Sequence, residues 1–203
     1  MYSKILLSMK TDWQKAIEII KNNGLVILPT DTLYGLVAST KAKKAIDKIY
    51  KIKERDENKA LIVLISSFKD LNKFGIKINK KEIEFLNKIW PGEVSVLLSC
   101  NDLKFKYIHR GTNEIAFRMI GDKNKDLFNL LEKVDPVVAP SANKEGFVPA
   151  ETIKEAKSYF GGDVDLYING GRRVGEPSTL IRLKNEQIEV LRQGKVKIKT
   201  LKI

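Results

Sequence analysis

Hydroxyl, acidic and basic side chains recur in this sequence at the points where hydrophobic runs end. They fall into four groups: Thr30-Asp31-Thr32; Lys53, Arg55 and Lys59; Ser141 and Asn143; and Ser178, Thr179 and Arg192. In open α/β sheets, ligands bind outside the carboxyl ends of strands, where loops present side chains on a rigid scaffold. Hydroxyls, amides and cations bind phosphate, ribose and carboxylate oxygens. The four groups therefore indicate a cleft that orients an anionic, phosphate-bearing substrate.

Each group also has a purely structural interpretation. Thr30-Asp31-Thr32 could form a proline-led turn in which the side chains bond their own backbone. The lysine-rich run could be a solvated helix end, and Ser141 with Asn143 could be an ordinary turn. Arg118 adds a further signal, because it lies inside the predicted strand E-I-A-F-R-M, where a lone cation needs a partner or an anionic ligand.

Several common kinds of site are missing from the sequence. It contains neither G-x-x-x-x-G-K-[ST] nor G-x-G-x-x-G, so a nucleotide site must be built in another way. H-E-x-x-H and paired C-x-x-C motifs are absent, so we expect no zinc site and assign no metal ligand. The single histidine, His109, lies in a loop-like segment and is expected at the surface, whereas Cys100 follows V-S-V-L-L-S and is expected in the core.

Hydrophobic periodicity predicts helices and strands over the whole length. The predicted helices are one capped by Thr11 or Asp12, then Lys41–Lys53, Asn79–Trp90 with a capping box to Glu82, Asp126–Val134, and 150–162. The predicted strands are L-V-I-L, A-L-I-V-L-I-S, V-S-V-L-L-S, E-I-A-F-R-M, P-V-V-A, V-D-L-Y-I-N-G-G, and two around Lys184-Asn185-Glu186. This mixture favours an α/β fold in which helices pack on a sheet, in one domain over residues 1–203.

The composition leaves a nucleic-acid partner open. The formal net charge is +12 over 203 residues, and Lys and Arg neutralise phosphates. The lysines are scattered through every segment, and no basic block is interleaved with aromatics, which favours a generally solvated surface. There is no apolar run of about 18 residues and no signal-peptide cleavage site near the start, so we expect a cytosolic protein without membrane contact.

The order of the polar segments resembles the YrdC-like family, the threonylcarbamoyl-AMP synthases. The pattern of that family is P-T-[DE]-T-x-Y-G-L, K-x-R, K-[PG]-L, W-P-G, A-x-R, S-A-N, G-G…P-S-T and R-[PQ]-G. The matching segments of this chain are Pro29–Leu36, Lys53–Arg55, Lys59–Leu61, Trp90–Gly92, Ala116–Arg118, Ser141–Asn143, Gly170-Gly171 with Pro177–Thr179, and Arg192–Gly194. They run in the same order over nearly the whole chain.

The resemblance implies a twisted, mixed, open α/β sheet with helices on both sides and a deep, central basic cavity. It also implies a reaction in which L-threonine, bicarbonate and ATP, with Mg²⁺, give threonylcarbamoyl-AMP and pyrophosphate. In that family a transferase complex then moves the threonylcarbamoyl group onto tRNA. Protein groups would act there mainly by positioning the reactants and neutralising charge.

The resemblance further implies residue roles. Thr32, Arg118, Ser178 and the backbone at Ala139 would bind threonine, with Arg118 on the carboxylate. The residues implied for catalysis and for ATP are Lys53 and Arg55 beside the carbamate and phosphates, Ser141 and Asn143 at the nucleotide, and Lys59 and Arg192 as further ATP contacts.

The chain departs from the family pattern at three single positions, Ala60, Leu64 and Pro140, and its segment F-R-M-I-G-D lacks the proline and histidine often found after the arginine. Leu64 stands where some members carry a substrate-contacting histidine, so we expect one threonine contact to be missing or replaced. The alternative function is binding of tRNA or double-stranded RNA by a protein of the same fold without synthase activity. A carbamoyl-handling module of a larger enzyme is disfavoured, because the family's carbamoyltransferases carry zinc-finger-like cysteines that this sequence lacks.

Overall fold

The computed structural model describes residues 2–202, with side chains described for residues 11–200. Within that range the strands are β1 (Val26–Pro29), β2 (Tyr34–Ser39), β3 (Ile62–Ile65), β4 (Val94–Ser99), β5 (Glu114–Met119), β6 (Val137–Val138), β7 (Leu166–Tyr167), β8 (Thr179–Lys184), β9 (Gln187–Arg192) and β10 (Leu201–Lys202). The helices are α1 (Tyr2–Lys21), α2 (Lys43–Lys53), α3 (Lys69–Asn72), α4 (Lys80–Ile89), α5 (Lys106–His109), α6 (Lys125–Leu131) and α7 (Ile153–Phe160). No helix of residues 2–202 is both long enough and apolar enough to cross a membrane.

The strands form one mixed sheet in the order β10-β9-β8-β4-β5-β3-β6-β2-β1-β7. The pairs β1–β7, β3–β5 and β4–β8 are parallel, and the other neighbours are antiparallel. Parallel pairs require crossover connections, which the helices supply. The predicted mixed α/β sheet is therefore confirmed.

Helices cover both faces of the sheet. Successive strand residues point to opposite faces, and in β1 the side chain of Ile27 joins one apolar cluster while Val26 and Leu28 join the other. The first cluster contains buried residues of α2, α4 and α7, and the second contains those of α1 and α6. Strands covered in this way hold the loops at their ends in fixed positions.

The sequence did not predict the short elements α3, α5 and β10, and two longer elements, α1 and β2, also differ from the predictions. The helix predicted to begin at Thr11 or Asp12 begins at Tyr2, so neither residue is its N-cap. Strand β2 was not predicted, because all six of its residues are buried and the period-2 alternation that identifies a half-exposed strand is absent. The capping box at α4 is confirmed, since the Asn79 side chain accepts the Glu82 N–H at 3.0 Å and Glu82 accepts the Asn79 N–H at 3.0 Å.

The single cysteine and the single histidine are both buried. Cys100 lies in the core and its Sγ donates to the Phe74 carbonyl at 3.6 Å, as its apolar flank predicts. The prediction that His109 lies at the surface is wrong. It ends α5, is fully buried, and its Nδ1 accepts the Gly111 N–H at 3.1 Å, so the ring satisfies a local backbone donor. His109 does not line the cavity described below.

Candidate functional site

A cavity of about 170 Å³ lies between the β1–β2 turn and the sheet. Its wall includes seven of the residues singled out from the sequence: Thr30, Thr32, Arg118, Ala139, Ser141, Ser178 and Arg192. This volume is below the roughly 300–1,000 Å³ of pockets for drug-sized ligands. The enclosed space therefore suits a small amino acid, and a nucleotide would have to extend beyond it.

The β1–β2 turn is fixed by its own hydroxyl. The Thr30 N–H donates to the Leu33 carbonyl at 3.0 Å, and the Thr30 hydroxyl donates to the same carbonyl at 2.7 Å. The Thr32 N–H donates to the Thr30 hydroxyl at 3.3 Å. This is the local turn that the sequence allowed, and it also places Thr32 on the cavity wall, so the two interpretations of this segment are compatible.

Arg118 is paired with Asp31, at the tip of that turn. The Arg118 Nη2 lies 2.9 Å from the Asp31 Oδ1, and both side chains are only 4% exposed. Arg118 Nε is buried without a hydrogen-bond partner among the described residues. The partner that a buried cation requires is therefore Asp31, and the Arg118 Nε, on a residue that lines the cavity, remains unsatisfied.

Burial opposes the charges of this pair. It raises the pKa of Asp31 and lowers the pKa of Arg118, while the charge of each partner acts in the opposite direction. Because the ordinary pKa of arginine is above about 12, the guanidinium keeps its proton, and at 2.9 Å it favours an ionised Asp31. We therefore describe the contact as an ion pair.

Arg192 supplies a second cation on the cavity wall. Its Nη2 donates to the Ser178 carbonyl at 2.9 Å, and the Ser178 hydroxyl lies 2.9 Å from that of Ser95. Burial, followed by the charge of Arg118, lowers the pKa of Arg192. The P-S-T and R-Q-G segments, 14 residues apart at this contact, are therefore joined at one side of the cavity.

Gly194 allows that junction because a side chain cannot fit there. A Cβ at Gly194 would lie 2.1 Å from the Pro177 carbonyl oxygen and 2.7 Å from the Thr179 nitrogen. We expect Gly194→Ala to lower the free energy of unfolding by about 1–3 kcal/mol, because backbone must move to admit the methyl group. Denaturant unfolding measures this loss. The control is Gly162→Ala, which meets no atom within 4 Å, and an equal loss there would contradict the explanation.

Tyr34 attaches the glycine pair to the turn. Its hydroxyl donates to the Gly171 carbonyl at 2.6 Å and accepts the Gly170 N–H at 2.9 Å. A Cβ at Gly170 would lie 2.6 Å from Pro29 Cγ, so this loop packs directly on the end of β1. The Tyr34 hydroxyl thus joins the Y-G and G-G segments of the sequence, and Tyr34 itself lines the cavity. Tyr34 was not among the residues singled out, although it lies within the quoted P-T-D-T-L-Y-G-L segment.

Lys53 lies at the end of α2 and points into the S-A-N loop. Its Nζ donates to the Ser141 and Asn143 carbonyls, each at 2.5 Å, and the residue is only 2% exposed. Glu54 ends the helix in the left-handed conformation, with φ 51°, so Arg55 follows on a loop rather than on the helix. The helix end that the sequence indicated is confirmed, but Lys53 and Arg55 do not line the 170 Å³ cavity.

The S-A-N loop is held by its own side chains as well. The Ser141 hydroxyl donates to the Asn143 Oδ1 at 2.6 Å, and the Asn143 amide donates to the Lys144 and Phe147 carbonyls at 2.7 and 2.9 Å. Ser141 reaches the cavity wall, whereas Asn143 shapes the loop behind it.

Glu145 connects this loop to the segment after α2. Its N–H donates to the Lys53 carbonyl at 2.8 Å, its Oε2 accepts the Asp56 N–H at 2.6 Å, and its Oε1 pairs with the Lys59 ammonium. Arg55 donates to the Ala60 carbonyl at 2.9 Å. Lys59 and Arg55 are therefore occupied by local partners, and Glu145, which follows S-A-N-K in the sequence, is a contact that sequence reasoning missed.

Burial, followed by the charge of Arg55, lowers the pKa of Lys53 to about 7. In the unfolded chain this amine titrates near 10.4. Between these values the unfolded state binds one more proton, so the stability contribution of Lys53 rises with pH, by at most about 1.4 kcal/mol per unit. We expect the free energy of unfolding of the wild type minus that of Lys53→Met to grow by about 1–3 kcal/mol from pH 7 to pH 9. If this difference between the two free energies of unfolding did not change with pH, the pKa of the Lys53 amine would not be lowered in the folded state.

The structure shows the contacts made at each of the three single positions that depart from the family pattern. Leu64 is fully buried in the second apolar cluster, and it is the β3 neighbour of Arg118. The Ala60 carbonyl accepts from Arg55, and the Pro140 carbonyl accepts the Leu36 N–H at 2.8 Å. Leu64 thus has no polar group to offer beside Arg118, and the backbone contacts at the other two positions do not depend on the side chain.

Comparisons with known proteins agree with this arrangement. The family model Sua5_yciO_yrdC, described as telomere recombination, matches residues 18–194. The threonylcarbamoyl-AMP synthase of Pyrococcus abyssi is 30% identical over 177 residues, which are 86% of this chain and 52% of that protein. A putative threonylcarbamoyl-AMP synthase of Methanocaldococcus jannaschii is 28% identical over 195 residues, which are 93% of this chain and 90% of that protein.

A solved structure gives the same fold. The crystal structure of P. abyssi Sua5 complexed with L-threonine matches with a TM-score of 0.80 and 30% identity, and covers 90% of this chain and 54% of that chain. The chain thus spans about half the length of the Pyrococcus proteins that it matches.

Proposed function

The chain belongs to the Sua5, YciO and YrdC family, and from this membership we propose that it is a threonylcarbamoyl-AMP synthase. In the proposed reaction the amine nitrogen of L-threonine bonds to CO₂ derived from bicarbonate and loses a proton. An oxygen of the resulting carbamate then displaces pyrophosphate at the α-phosphorus of ATP. The product is threonylcarbamoyl-AMP, which makes the protein a nucleotidyltransferase.

The observation that carries this proposal is that Arg118, whose Nε has no hydrogen-bond partner among the described residues, lines a cavity of amino-acid size. A carboxylate is the ligand that a guanidinium binds best, through two parallel hydrogen bonds. Thr32, Ser178 and Ala139 line the same cavity. We assign the threonine carboxylate to Arg118 and the remaining polar groups of threonine to these three positions.

The nucleotide is assigned to the loops that adjoin Ser141. Lys53, Arg55 and Lys59 lie on the segment joined to the S-A-N loop, and Arg192 lies on the cavity wall. We propose that Ser141 and Asn143 orient the nucleotide and that these cations offset the charge of the phosphates and the carbamate. Arg55 and Lys59 would exchange their present local partners for phosphate oxygens.

Magnesium is assigned to the nucleotide rather than to a protein cage. Mg²⁺ usually keeps several waters and binds through substrate phosphates and one or two carboxylates. Among the described residues there is no group of three or more His, Cys, Asp or Glu side chains that could hold a metal ion. We therefore take the ion to arrive on the phosphates of ATP and assign it no step.

The product would pass to the complex that transfers the threonylcarbamoyl group to tRNA, and we place this activity in the cytosol.

A direct RNA contact is the second candidate function. One observation favours it: a groove of about 660 Å³ has four basic residues and one acidic residue in its lining, which consists of Lys43, Lys104, Lys106, Arg110, Tyr107, Glu57, Asn58 and Leu103. Basic and aromatic side chains together bind nucleic-acid backbone and bases. RNA binding would weaken steeply with salt and would not respond to threonine.

The test is pyrophosphate release by the purified protein with ATP, magnesium, bicarbonate and L-threonine, with each component omitted in turn. We expect release to require both threonine and bicarbonate. Release from ATP alone would contradict the synthase. No release by a protein that binds RNA would also contradict it and would favour the second candidate.

A further inference from the structure

Ser95 carries a buried hydroxyl to which the proposed reaction assigns no role. It lies in β4, is fully buried, and its Oγ is 2.9 Å from the Oγ of Ser178. Its neighbours Val94 and Val96 belong to the first apolar cluster, so Ser95 points to the other face of the sheet. Ser178 lines the 170 Å³ cavity and Ser95 does not. Ser95 is therefore linked to the site through Ser178.

The hydrogen bond between the two serines has a preferred direction. Among residues 11–200, Ser178 is the only hydrogen-bond partner of the Ser95 hydroxyl. If Ser178 donated to Ser95, the Ser95 proton would have no acceptor, and a buried donor without an acceptor is costly. If Ser95 donates to Ser178, its proton is satisfied. A serine hydroxyl has one proton and two lone pairs, so Ser178 can accept from Ser95 and still donate its own proton.

The proton of Ser178 is then left for a ligand. Within the described side chains the Ser178 hydroxyl has no hydrogen-bond partner except Ser95, and the residue is only 2% exposed. Bulk water therefore has little access to this hydroxyl. Because Ser178 lines the cavity, an acceptor atom on a bound ligand would satisfy its proton.

The charges around Ser178 favour an anionic acceptor. The residues that line the cavity include two arginines, Arg118 and Arg192, and no acidic residue. Asp31 pairs with the first, whereas the Arg192 Nη2 donates to the Ser178 carbonyl at 2.9 Å. An excess of positive charge repels an ammonium and attracts a carboxylate. The threonine carboxylate, already assigned to Arg118, is therefore the group that fits the Ser178 proton.

We infer that Ser95 is a positioning residue, which donates to Ser178 and thereby directs the Ser178 proton to the carboxylate of the bound amino acid. The inference rests on the proposed function and deepens it, because it gives Ser178 the carboxylate rather than the amine or hydroxyl of threonine. Ser95 touches neither the ligand nor the reacting atoms. The threonine carboxylate forms and breaks no bond in the proposed reaction, so the same contact serves substrate and product.

The test is calorimetric titration of Ser95→Ala, which removes the donor and little volume. We expect the dissociation constant for L-threonine to rise at least about fivefold, the scale of one net hydrogen bond, and that for ATP to stay unchanged. L-2-Aminobutyrate has the carbon chain and carboxylate of threonine but no side-chain hydroxyl, and its dissociation constant should rise by the same factor. In a Ser178→Ala background, adding Ser95→Ala should cause no further rise, because Ser95 has lost its acceptor.

The control is Ser39→Ala. Ser39 is a buried serine of β2 that lies outside the cavity lining, and its hydroxyl accepts the Lys41 N–H at 3.2 Å. This variant should leave both amino-acid affinities unaltered. A Ser95 that only stabilised the fold would lower the free energy of unfolding without a selective loss of threonine affinity.

Three results would overturn the inference: unchanged threonine affinity in folded Ser95→Ala, a loss that persists undiminished in the Ser178→Ala background, or a loss for L-threonine but not for L-2-aminobutyrate. The last would give Ser178 to the threonine hydroxyl. If Ser95→Ala does not fold, Ser95→Cys decides, because a thiol is a weak donor. Unchanged threonine affinity in that variant would also overturn the inference.

Failure of the proposed function would look different. In that case the wild type would not bind L-threonine or release pyrophosphate in its presence. A wild type that does both, together with unchanged threonine affinity in Ser95→Ala, would reject the role of Ser95 alone.

Discussion

Replacing Arg118 by lysine should lower kcat/KM for threonine by about 100-fold, because one ammonium cannot serve Asp31 and a ligand carboxylate at two separate edges. A factor of 100 corresponds to about 2.7 kcal/mol, within the range for hydrogen bonds to charged groups. Lysine keeps the positive charge, so Asp31 is not left buried without a cation. We expect the loss in the KM for threonine, with the affinity for ATP little changed.

The matched control is Arg182→Lys. Arg182 also pairs with carboxylates, those of Glu114 and Glu189, but it lies outside the cavity wall. Steady-state pyrophosphate release at varied threonine compares the two variants. If Arg118→Lys lowered kcat/KM for threonine no more than Arg182→Lys did, the assignment of the threonine carboxylate to Arg118 would be wrong.

Replacing Lys53 by methionine should abolish most turnover, by about 100-fold or more, because it removes the donor shared by two loop carbonyls. The carbonyls of Ser141 and Asn143 would lose their hydrogen bonds from Lys53, and each buried unsatisfied group costs about 1–3 kcal/mol. The loop would move to find other donors and would carry the Ser141 hydroxyl away from the nucleotide. The affinity for ATP should fall together with turnover.

The control for this variant is Lys51→Met, an exposed lysine on the same helix. Titration with ATP and single-turnover product formation separate binding from chemistry. Turnover in Lys53→Met equal to that in Lys51→Met would show that the contact between Lys53 and the S-A-N loop has no part in the reaction.

The sequence predicted the strands that alternate or end in recognisable turns. It located the Lys184–Glu186 turn, where Asn185 and Glu186 both have positive φ, and the capped start of α4. Strand β2 was not predicted, because its residues are all buried and do not alternate between apolar and polar. The early start of α1 was not predicted, because Thr11 and Asp12 are residue types that often cap a helix but here lie inside one.

The site was predicted better in its residues than in its partners. Motif order led to Arg118 in β5 and to Ser178 just before β8, which the fold brings to one cavity although they are far apart in sequence. Asp31 and Glu145 were visible in the same segments, but a sequence does not say which cation a carboxylate will meet. The pairing of Asp31 with Arg118 depends on the turn reaching over the sheet, which only the tertiary structure supplies.

The extent of the basic cavity also depends on tertiary structure. Lys53, Arg55 and Lys59 were expected to converge with Arg118 and Arg192 on one ligand space. In the structure they have local partners on adjoining loops instead. Lys53 and Arg55 donate to backbone carbonyls, and Lys59 pairs with Glu145. A deep cavity that includes all five cations therefore remains a prediction for the nucleotide-bound protein.

The measurement that tests the central claim most directly is mass spectrometry of the product formed from ATP, L-threonine and ¹³C-labelled bicarbonate. The proposed function predicts threonylcarbamoyl-AMP that carries one labelled carbon and disappears when threonine is omitted. Hydrolysis of ATP without any labelled adenylate, in a preparation that binds both ATP and threonine, would contradict it.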